Sequence, residues 1–138
     1  MVIKILFPLF IFISIAAIFK AIDDSIKPDQ FDYTIFKKWK GNKWLDLRIA
    51  YVNQYKIPKL LYPILIHFAD AWHFCNSIII SSFFIGILYV IYHINNFIII
   101  YQYVNLILLF FIFWLWFGVI FEIFYKLFRD EWLIKKFN

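Results

Sequence analysis

The chain has 138 residues, of which 64% are hydrophobic and 25% aromatic, and its formal net charge at neutral pH is +5. Soluble domains average roughly 45–50% apolar residues, so a soluble fold of this size would leave much apolar surface in water. The single cysteine excludes an intrachain disulfide and a zinc site made of four thiolates. We therefore expect one membrane domain, of the all-α class, spanning residues 1–138.

The first predicted element is a transmembrane helix over about residues 3–22. Its core, residues 5–19, is apolar apart from Ser14 and has Lys4 before it and Lys20 after it. The helix is long enough for the roughly 20 residues that a span needs. Pro8 falls in its first turns, where a helix tolerates proline best. A cleaved signal peptide is the alternative, because the basic start and the small residues Ala16 and Ala17 also fit that pattern. We expect the segment to be retained.

Residues 23–59 form a polar loop that mixes basic and aromatic residues. Aromatic rings favour the membrane interface and cations favour anionic lipid, so we expect the loop to lie in the cytoplasmic headgroup layer. Its five aspartates argue against nucleic acid as a partner. The side chains that we expect to anchor the loop are Trp39, Lys40, Lys43, Trp44 and Arg48.

Two further spans follow the loop and are predicted to form an antiparallel hairpin. The apolar segment 60–93 would extend about 51 Å as one helix, whereas a hydrocarbon core measures roughly 30 Å. We therefore expect an interfacial leader over about 60–72 before the second span. The paired asparagines in 94–97 favour a tight turn. The third helix then covers about 98–126, and a basic tail covers 127–138.

The distribution of lysine and arginine predicts the orientation of the chain. Neither residue occurs from Leu60 to Tyr125, whereas the 23–59 loop and the tail are both basic. The positive-inside rule therefore predicts a cytoplasmic loop and C-terminus, with the turn and the N-terminus outside. A bacterial inner membrane or a virion membrane would fit this topology.

Polar residues near the start of the second span suggest an intramembrane site. On a helix that includes His67, four of them fall within an arc of about 80°. Unpaired polar groups in hydrocarbon cost several kcal/mol, so we expect this stripe to face protein. In an antiparallel hairpin Glu122 would reach the same depth, with Gly118 allowing the helices to approach closely. The predicted cluster consists of Asp70, His73, Ser77, Ser81 and Glu122.

Several roles remain open for this cluster. It could lock helices together, it could handle protons or ions, or Glu122 could simply pair with Lys126 one turn later. Asp70, His73 and Glu122 are also the candidate ligands if a metal ion binds. We assign no catalytic residue, metal or cofactor, because no glycine-rich phosphate loop, serine-nucleophile motif or CxxC is present.

Three short motifs occur in order: AIDDSI at 21–26, IFKKWKGNKW at 35–44 and DAWH at 70–73. Over about residues 20–90 the chain resembles a group of small, uncharacterised membrane proteins of bacterial and phage genomes. That group has a histidine after the acidic residues, where this chain has Phe31-Asp32-Tyr33. The resemblance implies no activity, and the departure weakens any metal or proton site that such a histidine would serve.

The function that we expect is that of a non-enzymatic membrane protein, a structural or assembly subunit that acts through helix–helix packing. Its partners would be the lipid bilayer and other membrane subunits or copies of itself, in a membrane complex or a lipid-containing virus particle. The aromatic third span offers a large contact area for this. The alternative is a membrane-embedded enzyme or a proton- or ion-handling subunit that uses Asp70, His73 and Glu122.

Overall fold

A computed structural model describes residues 2–50, 57–59, 61, 66–93 and 106–129 of the chain. Within these ranges the structure is helical and contains no strand. The α-helices are α1 (Val2–Ser25), α2 (Leu47–Ala50), α3 (Ala71–Tyr92) and α4 (Leu106–Phe128). Short 3-10 helices cover Phe31–Tyr33, Ile35–Trp39 and Ile66–Phe68.

Three of the described helices are long and apolar enough to cross a membrane. Their candidate spans are Leu6–Ser25, Ala71–Tyr92 and Ile107–Phe128. The prediction of an all-α fold with three transmembrane helices is confirmed, and the chain is an integral membrane protein. The predicted 94–97 turn and nearly all of the basic tail lie outside the described residues.

Helix α1 is the centre of the bundle, because it packs along both of the other long helices. On the α3 side, the Phe12 ring lies 6.5 Å from Tyr89 and the Phe19 ring lies 6.2 Å from Phe74. The contact therefore runs from the end of α3 to its beginning as α1 proceeds, so the two helices are antiparallel. By contrast α3 and α4 make few direct contacts, although the predicted hairpin would pack them along each other.

Helix α4 runs parallel to α1 and is joined to it mainly by aromatic side chains. The Phe10 ring meets Phe113 and Trp116 edge-to-face at centroid distances of 5.0 and 5.4 Å. The Trp116 indole N–H also donates a hydrogen bond of 2.8 Å to the Ser14 hydroxyl. Edge-to-face ring pairs stabilise such a contact beyond the area they bury.

The end of α1, the start of α3 and the end of α4 lie together at one end of the bundle, which we call the polar end. Residues 26–46, the connecting segment, pack onto this end. Its Ile26 and Phe31 are fully buried with Ala71 in one apolar cluster, and its Phe36 ring lies 5.4 Å from Phe128. The predicted interfacial loop is therefore, over these residues, a packed part of the fold.

The start of α3 lies close to the predicted end of the leader at about residue 72, but the helical wheel that included His67 extended the helix too far back. Asp70 is the N-cap, with extended backbone at φ −154° and ψ 169°, and the helix begins at Ala71. Aspartate is favoured at this position because its side chain accepts a hydrogen bond from an amide of the first turn. The Ala71 amide donates to the Trp44 carbonyl at 3.0 Å, so the connecting segment completes the start of the helix.

Candidate functional site

Asp70 and His73 form the centre of a polar cluster at the start of α3. Asp70 is only 2% exposed, and its carboxylate accepts the His73 backbone N–H at 2.9 Å. The His73 ring Nδ1 also lies 3.0 and 2.9 Å from the two carboxylate oxygens. An ionised carboxylate can only accept a hydrogen bond, so Nδ1 of His73 is the donor in this contact. The DAWH motif thus fixes both a helix start and a histidine ring.

A second buried carboxylate, Asp23 of α1, connects α1 to α3. Asp23 is 1% exposed, and it accepts hydrogen bonds from Lys20 at 2.9 Å and from the Asn76 side chain at 3.3 Å. Lys20 also binds Asp24 at 2.9 Å, and Lys27 pairs with the same Asp24 carboxylate. These contacts give each acid a positive or hydrogen-bonding partner, which offsets the cost of taking it out of water.

The sequence pattern did not identify this second contact. Asn76 lies outside the arc of the predicted polar stripe, which was expected to meet the third span, whereas the Asn76 side chain binds Asp23 of α1. A signal for it does exist in the sequence. The acids at the end of the first span need partners, and an antiparallel second span brings its first turns to their depth.

Ser77 is also part of the polar end, but its side-chain partner is His67 and not another side chain of the predicted cluster. The Ser77 hydroxyl lies 2.6 Å from His67 Nδ1 and donates to the His73 carbonyl at 2.7 Å. Because the hydroxyl has one hydrogen, it must accept from Nδ1–H of His67 when it donates to the carbonyl. His67 lies in a separate 3-10 turn, so the predicted helical wheel misplaced it.

Ser81 does not belong to the polar cluster, contrary to the prediction that the whole stripe faces protein. Its side chain is exposed on the outer surface of α3, whereas Ser82 is buried and donates to its own helix backbone at 2.8 Å. Serine can bond the carbonyl four residues before it, so it tolerates an apolar environment without a partner helix.

Glu122 is not brought together with Asp70 and His73. Its side chain is 54% exposed and forms an ion pair of 3.0 Å with Lys126 on α4. In the described ranges, no three side chains of the His, Cys, Asp and Glu types are grouped closely enough to hold a metal ion. The reason is geometric, since α3 and α4 do not pack along each other and equal depth does not place side chains in contact.

The predicted close approach at Gly118 is likewise not observed. A Cβ built on Gly118 would meet no atom within 4 Å, so this glycine faces open space. Gly86 of α3 has the role instead, because its Cβ would lie 3.8 Å from the Leu9 side chain and 4.0 Å from Phe12. Small residues let helices approach in lipid, and here the approach is between α1 and α3.

The predicted interface anchors fall on the outer surface of the connecting segment, where they are described. Trp39 is 38% exposed and Trp44 is 40% exposed, and Lys40 and Lys43 are exposed as well. The Trp44 ring also contacts Phe74 of α3 at a centroid distance of 5.9 Å. The side chain of Arg48, the fifth predicted anchor, lies outside the described part of the structure.

An apolar cleft opens on the lipid-facing side of the bundle, between α3 and α4. It has a volume of about 650 Å³, and α1 forms its floor. Its walls are mainly aromatic and aliphatic side chains, among them Phe83, Ile87, Phe110, Phe113, Trp114 and Phe117. The cleft exists because α3 and α4 diverge from their common contact with α1.

Comparison of the chain with protein-family models, with curated proteins and with solved structures found no match. The argument for function therefore starts from two geometric features. One is a set of polar contacts within the chain at the polar end. The other is the apolar surface of α3 and α4 at the opposite end.

Proposed function

We propose that this protein is a non-enzymatic structural or assembly subunit of a membrane, which binds other membrane helices or further copies of itself through α3 and α4. The observation that supports this proposal is the open cleft between these two helices. In lipid the hydrophobic effect does not drive helices together, so association depends on surfaces that pack closely. A cleft with rigid aromatic walls is such a surface.

The exposure of α4 supports the same proposal. This helix packs mainly against α1, and the other described elements leave most of its circumference uncovered. Aromatic side chains supply large contact areas with few rotatable bonds, which favours helix association. The large exposed side chains of α4 include Leu108, Phe110, Phe111, Trp114, Leu115, Val119 and Ile123.

The polar cluster fits a structural role within this subunit. Asp70 and His73 bind each other at the start of α3. Asn76 of α3 and Lys20 of α1 both bind Asp23 of α1. The alternative function, ion or proton handling by Asp70, His73 and Glu122, requires a third group that the described geometry places elsewhere. Locking of α1 against α3 requires only the contacts that are present.

The proposed orientation places the polar end in the cytoplasm and the start of α1 outside, in a bacterial inner membrane or a virion membrane. The exposed lysines of the connecting segment, together with Lys126 and Arg129 at the end of α4, support it through the positive-inside rule. Cysteines placed at Lys37 and at Tyr92, in a Cys75→Ser chain, test it. A membrane-impermeant maleimide added outside should label position 92 and not position 37.

Site-specific cross-linking tests the proposed association in native membranes. Cys75 is buried, so a Cys75→Ser chain provides the background for Ile87→Cys and Trp114→Cys, both at the mouth of the cleft. The matched control is Ile80→Cys, an exposed position on α3 that does not line the cleft. We expect cross-linked dimers, or adducts with another membrane protein, at positions 87 and 114 and not at position 80. Equal cross-linking at all three positions, or a monomer throughout, would contradict the proposal.

A further inference from the structure

The outer surface of the connecting segment carries a continuous run of exposed basic and aromatic residues, Lys37–Trp44, which we call the basic strip. Every residue of this run is exposed, and it contains four lysines, two tryptophans and no acidic residue. We propose that the basic strip is a binding surface for the headgroups of anionic phospholipids. This inference concerns a ligand of the monomer and does not rest on the proposed association of α3 and α4.

The basic strip is held in one conformation by hydrogen bonds from the residues around it. On its N-terminal side, the buried Thr34 hydroxyl accepts the Phe36 N–H at 3.2 Å and donates to the Phe31 carbonyl at 3.0 Å. This arrangement starts the 3-10 helix that presents Lys37 and Lys38. A binding surface that is already ordered loses less conformational entropy when it binds a ligand.

The C-terminal half of the strip is a tight turn with its own internal bonds. Gly41 adopts φ 85°, a left-handed conformation that suits glycine. The Asn42 side chain accepts the backbone N–H groups of Trp44 and Leu45 at 2.9 and 3.0 Å. Asp46 is buried and accepts the Gly41 N–H at 2.9 Å, which ties the turn to the start of α2.

The position of the strip favours lipid over a soluble anion as its ligand. Trp44 contacts Phe74 in the first turn of α3, and Trp39 lies 5.9 Å from Phe36, which itself contacts Phe128 at the end of α4. The strip is therefore level with the ends of two membrane spans, where headgroups lie. Tryptophan rings prefer that depth, and lysines there meet the phosphate groups.

Charge complementarity then selects anionic over zwitterionic lipid. Lys37, Lys38 and Lys43 are exposed, and Lys40 is also exposed and lies 3.4 Å from Asp32. A lysine near an anionic surface favours binding by about fivefold, so three of them should produce a preference well above tenfold at low salt. The Lys38 ammonium lies 4.1 Å from the Trp39 ring centre, which orients this charge beside an interfacial ring.

The experiment measures which lipid stays bound to the full-length chain. The protein is reconstituted with equal amounts of phosphatidylglycerol and phosphatidylcholine, extracted in mild detergent, and weighed by native mass spectrometry. We expect the wild type to retain phosphatidylglycerol preferentially, and Lys37→Gln/Lys38→Gln/Lys43→Gln to lose that preference by roughly tenfold or more. Raising the salt concentration should reduce the wild-type preference, because screening weakens exposed charges.

Two controls separate lipid binding from other causes. Lys37→Arg/Lys38→Arg/Lys43→Arg keeps the charge and should keep the preference, whereas Lys59→Gln removes an exposed lysine outside the strip and should change it little. An unchanged preference in the glutamine variant would overturn the proposal, as would displacement of the lipid by inorganic phosphate at equal concentration. If the glutamine variant fails to accumulate, a salt-insensitive preference in the wild type would overturn it as well.

Discussion

The two ends of the bundle differ in how closely their helices are held together. At the polar end, buried groups such as Asp23, Asp70 and Thr34 bind partners within the chain, and the connecting segment covers the helix ends. At the opposite end, α3 and α4 separate and leave an apolar cleft that the described residues do not fill. The contacts within the chain are thus concentrated at one end, and the proposed contact surface lies at the other.

We expect the contacts at the polar end to contribute most of the stability that polar groups give to the fold. Hydrogen bonds between transmembrane helices contribute about 0.6 kcal/mol on average and up to about 1.7 kcal/mol. A buried, charge-assisted contact that also caps a helix contributes more, because its loss leaves a charge or an amide unpaired. Changes at the polar end should therefore destabilise the fold more than changes near the cleft.

The largest effect is expected for Asp70→Ala. This change removes the N-cap of α3 and the partner of the His73 ring, so the free energy of unfolding should fall by about 3 kcal/mol. Denaturation in mixed micelles of sodium dodecyl sulfate and a mild detergent measures it.

The matched control for this prediction is Glu122→Gln, which changes the other carboxylate of the predicted cluster. Its ion pair with Lys126 is half exposed, so the loss should stay below about 0.5 kcal/mol. Equal losses for the two variants would contradict the separation of Glu122 from the polar cluster and would revive the three-residue site.

A smaller effect is expected for Asn76→Leu, which removes the hydrogen bond between α3 and Asp23 of α1. Lys20 remains as the partner of Asp23, so the free energy of unfolding should fall by about 1 kcal/mol. The same micelle denaturation measures this, with Ser81→Ala as a control because Ser81 is an exposed polar residue on the same helix. No loss in Asn76→Leu would show that the polar end does not lock α1 to α3.

A smaller effect than that of Asn76→Leu is expected for Trp116→Phe, which removes the Ser14 hydrogen bond but keeps an aromatic ring against Phe10. The loss should be about 0.6 kcal/mol. A double-mutant cycle with Ser14→Ala isolates the coupling between the two side chains. A coupling energy larger than that between Asn76 and Asp23 would mean that α4 is held to α1 more strongly than α3 is, contrary to this ranking.

Hydrophobicity and length alone predicted the three spans, because membrane thickness constrains these properties directly. The direction in which each side chain faces around its helix axis was not predicted correctly. The expected contact of Glu122 with Asp70 needed both the correct depth and the correct facing, and only the depth follows from a hairpin. The assumption that the second and third spans pack along each other as a hairpin left α1 out, although its Asp23 is the acid that binds Asn76 of α3.

The start of α3 was accessible to sequence reasoning but was hidden by the length of the apolar run. Asp70 is a favoured N-cap residue followed by a helical first turn. Treating it as the N-cap would have started the helical wheel at Ala71 and left His67 out of it. The partner of the first amide could not be found in this way. It is the Trp44 carbonyl, a backbone atom whose position depends on how residues 26–46 fold.

The hydrogen bond from the Ala71 amide to the Trp44 carbonyl has a consequence for biosynthesis. The acceptor precedes the donor in the chain, so the ribosome delivers the receiving turn before the helix that docks onto it. When α3 leaves the translocon, the acceptor for its first amide has therefore already been synthesised. A chain whose residues 37–46 were replaced by a flexible linker would have to insert the same helix with that amide facing lipid headgroups unaided.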